Sequence, residues 1–310
     1  MKKIILIFGL LIGISLMRGQ MADDSIIKNF YEEDCDACGS SSSGGAFGFG
    51  EINEKNTLVL RYLYQQYRTK ETIFKDSPWS DEYFQTIQVL GLINILPKFK
   101  TMIIVPYHFL ERRTSSSHFE NNGIGDISLI GLYQLVSPNK TKKITQQLFV
   151  GGGLKLPTGK FDQSSTSLNP GLQLGTGSMD YVFLSEFLLN SKRFSVQTLL
   201  NYQYKTENNK QFQFGQHYNV NMNFMYNLDI NQIKLVPQMG YSLEYNTENI
   251  DFGVVQPNST SALHLWRIGL MMKHKEWSLS LQYFQPIMQQ MFNEKVELSN
   301  RLGLGFHYNF

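Results

Sequence analysis

The stretch VELSNRLGLGFHYNF, residues 296–310, alternates along its length. Val296, Leu298, Leu302, Leu304, Phe306, Tyr308 and Phe310 share one parity, interrupted only at Asn300. Glu297, Ser299, Arg301, Gly303, Gly305, His307 and Asn309 share the other. A period of two means a strand with one apolar and one polar face. Three aromatics end the apolar face, and the last is Phe310. This is the pattern of a closing strand of an outer-membrane β-barrel, whose terminal aromatic engages the barrel assembly machinery. An edge strand of a soluble sandwich is the competing reading.

Working back from that strand, the chain divides into about twelve alternating segments from Thr57 onward, within the even-numbered range of transmembrane barrels. The clearest pair lies in the second half. Tyr218, Val220, Met222, Phe224 and Tyr226 alternate with His217, Asn219, Asn221 and Asn223; Leu235, Met239, Tyr241, Leu243 and Tyr245 alternate with Gln238 and Glu244. Connections alternate too. Short links fall near Pro97, Asn190, Asp229 and Lys273; longer ones fall at 69–83, 110–122, 159–175, 206–213, 247–260 and 289–295. Tight periplasmic turns and longer outer loops predict that alternation. Aromatics collect near both ends of the strands, as interfacial girdles require. The fold class is therefore all-β, an antiparallel up-and-down transmembrane barrel over residues 56–310. Pro106 and Pro237 fall inside strands, where a missing N–H calls for a bulge.

Composition agrees. Formal net charge is +2 over 310 residues, so nothing points to nucleic acid. Mean hydropathy is −0.24, as alternation conceals membrane strands from hydropathy windows. Lys2 and Lys3 precede an apolar run from Ile4 to Met17, the order of a signal peptide, assigned here to residues 1–20. Residues 21–55 read as a flexible periplasmic segment. It carries Cys35 and Cys38, followed by a Ser/Gly run. The pair suits a local disulfide in an oxidising compartment, half of a metal site, or no defined role.

The polar parity of the strands supplies the candidate pathway residues: Arg61, Lys155, Glu186, His217, Asn219, Asn221, Gln238, Glu244, Arg267 and Arg301. Asn223, Gln282 and His307 share that face. Leu90, Leu92, Met102, Ile104 and Phe149 fall on the inward parity as well, which makes part of the lumen apolar or shifts the local register. About twelve strands lie between a filled eight-stranded barrel and a wide porin, so a constricted channel is expected. No catalytic motif of the GxSxG, HExxH or P-loop type occurs. The chain reads as a non-enzyme without a cofactor.

Three stretches carry a family likeness: Gly123-Ile-Gly-Asp126, Gly151-Gly-Gly-Leu-Lys-Leu-Pro-Thr-Gly159, and the run from Leu168 through Gly175-Thr-Gly-Ser-Met-Asp180 to Tyr181. Together they resemble the MetA-pathway of phenol degradation family of outer-membrane barrels. The resemblance implies a transporter for small, hydrophobic or aromatic solutes, partnered by outer-membrane lipid. Its motifs read as turns and strand starts. The loops at 159–175 and 247–260 are the ones expected to fold inward. A second reading is a non-transporting barrel that anchors the Cys35–Cys38 segment for metal or redox binding.

Overall fold

A computed structural model describes residues 56–71, 77–139, 141–161 and 172–310, all within one compact unit, Glu33–Phe310. The leader, the 21–55 segment and the Cys35–Cys38 pair lie outside the described residues.

Twelve antiparallel strands close into a barrel. They are β1 (Thr57–Lys70), β2 (Trp79–Leu96), β3 (Phe99–Arg113), β4 (His118–Ile124 continued by Ile127–Val136), β5 (Thr145–Leu156), β6 (Asp180–Asn190), β7 (Phe194–Tyr204), β8 (His217–Tyr226), β9 (Ile233–Asn246), β10 (Ser261–His274), β11 (Trp277–Met291) and β12 (Val296–Asn309). Each pairs with its sequence neighbour, and β1 pairs with β12 from Thr57↔Asn309 to Thr69↔Val296. Closure leaves no sheet edge, which is what a β-structure in lipid requires.

The outward parity is apolar and exposed. Leu60 is 50% exposed, Phe183 53%, Ile268 62% and Leu281 51%. In water such a band would be an unpaired apolar patch far beyond a soluble protein's tolerance; acyl chains cover it in a membrane. Aromatics flank it. Tyr218 stands between Tyr202 and Tyr245 at the outer end, and Trp277 faces Tyr308 at the other.

Several expectations need correction. Val296 and Leu298 face the interior, whereas Leu302 to Tyr308 face outward. A bulge causes the switch: Gln66 pairs with Asn300 and Tyr67 with Leu298, so Ser299 is the extra residue. The 110–122 connection is mostly strand, because β3 and β4 continue as a hairpin with its tip at 114–117. The 289–295 link is likewise shortened by β11 reaching Met291. The two prolines are accommodated by interruptions of the neighbouring strand. Pro106 lies opposite the break in β4, where its carbonyl accepts from Gly125 N at 2.9 Å. Pro237 lies where pairing passes from Met225↔Gln238 to Leu228↔Leu235.

Candidate functional site

The break in β4 turns Asp126 into the interior, and three sequence stretches meet there. Thr158 fills the break: its hydroxyl donates to Gly125 O at 2.8 Å and accepts from Ile127 N at 2.9 Å. Lys155, the penultimate residue of β5, is the cross-strand partner of Asp180, the first residue of β6. Its ammonium lies 2.5 Å from Asp126 Oδ2 and 2.8 Å from Asp180 Oδ2, and it also donates to the Thr176 hydroxyl. Lys155 is 2% exposed, Asp126 2% and Asp180 0%. Burial of such charges is tolerable only with paired, saturated geometry.

That saturation comes from the segment leading into β6. Asp126 Oδ1 accepts from Gly159 N at 2.9 Å, and Oδ2 accepts from Thr176 N at 2.9 Å and Thr176 Oγ1 at 3.0 Å. Ser178 Oγ donates to Asp180 Oδ1 at 2.8 Å, and Thr206 N donates to the same oxygen at 3.1 Å. Asn208, beyond β7, donates to Thr176 O at 2.9 Å. Gly175 is needed because a side chain there would fall on Asp126 Oδ1. The segment is thereby pinned to the inside of the wall. Leu172 and Leu174 pack with the inward Phe84 and Leu110, and Asn121 Nδ2 donates to Leu172 O at 3.0 Å. The expected inward folding holds for the described residues of this loop.

The remaining interior has two sides. Over β1–β7 an apolar cluster lines the wall: Val59, Leu90, Leu92, Met102, Ile104, Ile130, Leu132, Phe149, Val182, Leu184 and Leu199. The inward apolar residues noted in the sequence are therefore in register. Over β8–β12 a polar network lies beside two further apolar clusters, one with Leu263, Leu265, Phe284, Met291, Val296 and Leu298 and one with Met225, Val236 and Met271. Arg301 reaches from β12 to Glu244 on β9, with Nη1–Oε1 at 2.6 Å and Nη2–Oε2 at 3.2 Å, and donates to Tyr67 OH at 3.0 Å. Two strands separate β9 from β12, so this bidentate pair crosses the interior. Phe284 lies under both Arg267 and Arg301, at 5.9 and 5.8 Å. Arg267 reaches Asn221 at 3.5 Å, which accepts from Ser242 Oγ at 2.5 Å and bonds Asn219. Asn223 and Gln282 both donate to Gln238.

Every pathway candidate from Arg61 to Arg301 is inward and buried, but they do not form one site. Lys155 belongs to the buried triad with Asp126 and Asp180. Asn219, Asn221, Gln238, Glu244, Arg267 and Arg301 belong to the polar network. Arg61 pairs with Gln88 at 3.2 Å, Glu186 with Gln197, and His217 with Asn246 at 2.8 Å. Sequence reasoning passed over Asp126 and Thr176 as interior groups, Thr158 as the exposed cap of the break, and Tyr67 and Phe284 as interior groups. The first three sit in the motif stretches, where the polar residues between the glycines were the available signal.

The family described as "Putative MetA-pathway of phenol degradation" matches residues 83–307. The chain belongs to that family. Its matched region holds the whole Asp126–Lys155–Asp180 triad. No curated protein matches the chain. Among solved structures, an outer membrane channel from Pseudomonas putida F1 is similar at 13% identity and a TM-score of 0.62, covering 86% of this chain and 99% of that one. The KdgM porin (13% identity, TM-score 0.42, 82% and 99% covered) and the CymD monoaromatic hydrocarbon channel (10%, 0.41, 86% and 95%) are more distant. The first of these likenesses shows that the family member has the fold of a bacterial outer-membrane barrel.

Proposed function

We propose that this family member is a passive outer-membrane channel for small hydrophobic or aromatic solutes, inserted through its Phe310-ended closing strand. One observation carries the substrate class: the apolar cluster over β1–β7 shares the interior with the arginine- and amide-rich network over β8–β12. A barrel interior that only held water would need no apolar wall. An aromatic ring with one polar group matches both sides at once, ring against Leu132 and Phe149, polar group toward Arg267 and Asn221. The segment from Leu172 to Asp180 narrows the outer half, and the Lys155 triad holds it there. Passage is diffusive, and the interior groups bind and orient solute without a chemical step.

Solute flux into liposomes carrying the folded protein tests this. A small aromatic acid and a sugar of similar size are compared, each against protein-free liposomes. Protein-dependent flux that favours the aromatic is expected. Equal flux of both overturns the substrate class. Absence of flux from a barrel with heat-modifiable gel migration overturns the channel and favours a barrel that anchors the Cys35–Cys38 segment.

A further inference from the structure

Beyond the membrane band, β3 and β4 run on as a rigid hairpin. Its tip is closed by Thr114 N to Ser117 O at 2.9 Å, and Ser115 is tied to Glu71 by two bonds of 2.7 and 2.9 Å. On the outward face, Glu111 and Glu120 are direct cross-strand partners. Carboxylates in that position repel and destabilise a hairpin. The next pair on the same face is Arg113↔His118. Arg113 bonds Glu111. His118 Nε2 lies 2.8 Å from Glu111 Oε1 and 3.3 Å from Glu120 Oε1, and one ligand atom from each of the three residues falls within 4.8 Å of the others.

Those separations have a second meaning. A first-row divalent ion with bonds of about 2.0–2.1 Å to nitrogen and oxygen separates its ligands by about 2.9 Å in an octahedron and about 3.4 Å in a tetrahedron. The two nitrogen–oxygen distances match such edges, and an ion would take Glu111 Oε1 from Arg113. We propose that Glu111, His118 and Glu120 form a binding site for a divalent transition-metal ion on the outer rim of the barrel. An imidazole with two carboxylates suits zinc and its neighbours; an all-oxygen set would favour calcium. The bound ion cancels the repulsion between Glu111 and Glu120 and clamps β3 to β4. The site is reached from outside the cell without entering the lumen, so it is independent of conduction. Arg113 is its built-in competitor, since it occupies Glu111 with a fixed positive charge.

The test is calorimetric titration of Zn2+ into the folded protein, stripped with EDTA, in a Cys35→Ser/Cys38→Ser background that removes the only thiols. One saturable site is expected, weakened at least tenfold by His118→Ala and severalfold by Glu120→Gln. Arg113→Ala should tighten it, and Ca2+ should bind more weakly. Heat-modifiable gel migration confirms that each variant is folded. The proposal is overturned by lack of saturable Zn2+ binding, which would leave an ion-pair network only, or by binding indifferent to His118→Ala. Weakening by Arg113→Ala or a preference for Ca2+ would overturn it as well.

Discussion

Lys155 Nζ and Asp126 Oδ2 stand 2.5 Å apart, and they meet because β4 breaks at the residue opposite Pro106. A continuous strand would keep Asp126 in the ladder. The break lets Thr158 cap the exposed backbone and sends Asp126 inward to a lysine that already faces Asp180.

Lys155→Met removes the ammonium that bridges two buried carboxylates. Breaking a buried pair in this way costs about 3–5 kcal/mol, and the cost falls on the segment from Leu172 to Asp180. A cysteine placed at Leu172 in a Cys-free background should be protected from a polar maleimide. Adding Lys155→Met should speed its labelling at least tenfold. Asp180→Asn should act more weakly, because Lys155 keeps Asp126.

The pair between Arg301 and Glu244 crosses the interior, so its loss should loosen the barrel as a whole. Arg301→Met strands the carboxylate and should lower the thermal midpoint of gel migration more than Glu244→Gln does. The double variant should be less damaged than the sum of the two, with a coupling of about 1–3 kcal/mol. Strict additivity would mean that the pair contributes nothing beyond packing.

Lys205 follows the end of β7, 2% exposed, with its ammonium 5.6 Å from the Phe214 ring. Burial lowers its pKa to about 8, with Asp180 and Asp126 opposing the shift and Lys155 adding to it. The unfolded chain therefore binds more protons between about pH 8 and 10.5, and stability contributed by this group rises with pH across that window. Below about pH 8 both states are charged and the cost of burying the charge is fully present. The thermal midpoint of the native protein should rise relative to Lys205→Met as pH goes from 8 to 10. Parallel curves for the two proteins would contradict this.

Two glycines should respond in opposite ways. A side chain at Gly153 would fall on the Leu129 carbonyl oxygen and Ile130 Cα, where backbone cannot yield cheaply. One at Gly91 meets nothing within 4 Å. Gly153→Ala should sharply reduce the heat-modifiable fraction in outer membranes, whereas Gly91→Ala should leave it unchanged.

The barrel was legible because lipid enforces parity: a single misplaced charge on the outward face is costly, so that face stays apolar across the membrane. Beyond the membrane that constraint ends. Glu111 to Arg113 and His118 to Asn122 are polar on both faces but for Phe119, and so they read as loop although they are strand. Val296 and Leu298 misled for another reason, since one extra residue at Ser299 exchanges the faces. The triad was the least visible part. Glycine spacing announces turns, but nothing local says that Asp126, Lys155 and Asp180 converge from three stretches.

Conductance of the folded protein in planar bilayers, compared with that of Lys155→Met, tests the central claim most directly. If the barrel is a conduit narrowed by the segment that Lys155 holds, the native protein should show small discrete openings. The variant should show larger or more frequent ones. Electrically silent bilayers for both proteins, with the barrels shown to be inserted and folded, would contradict a channel.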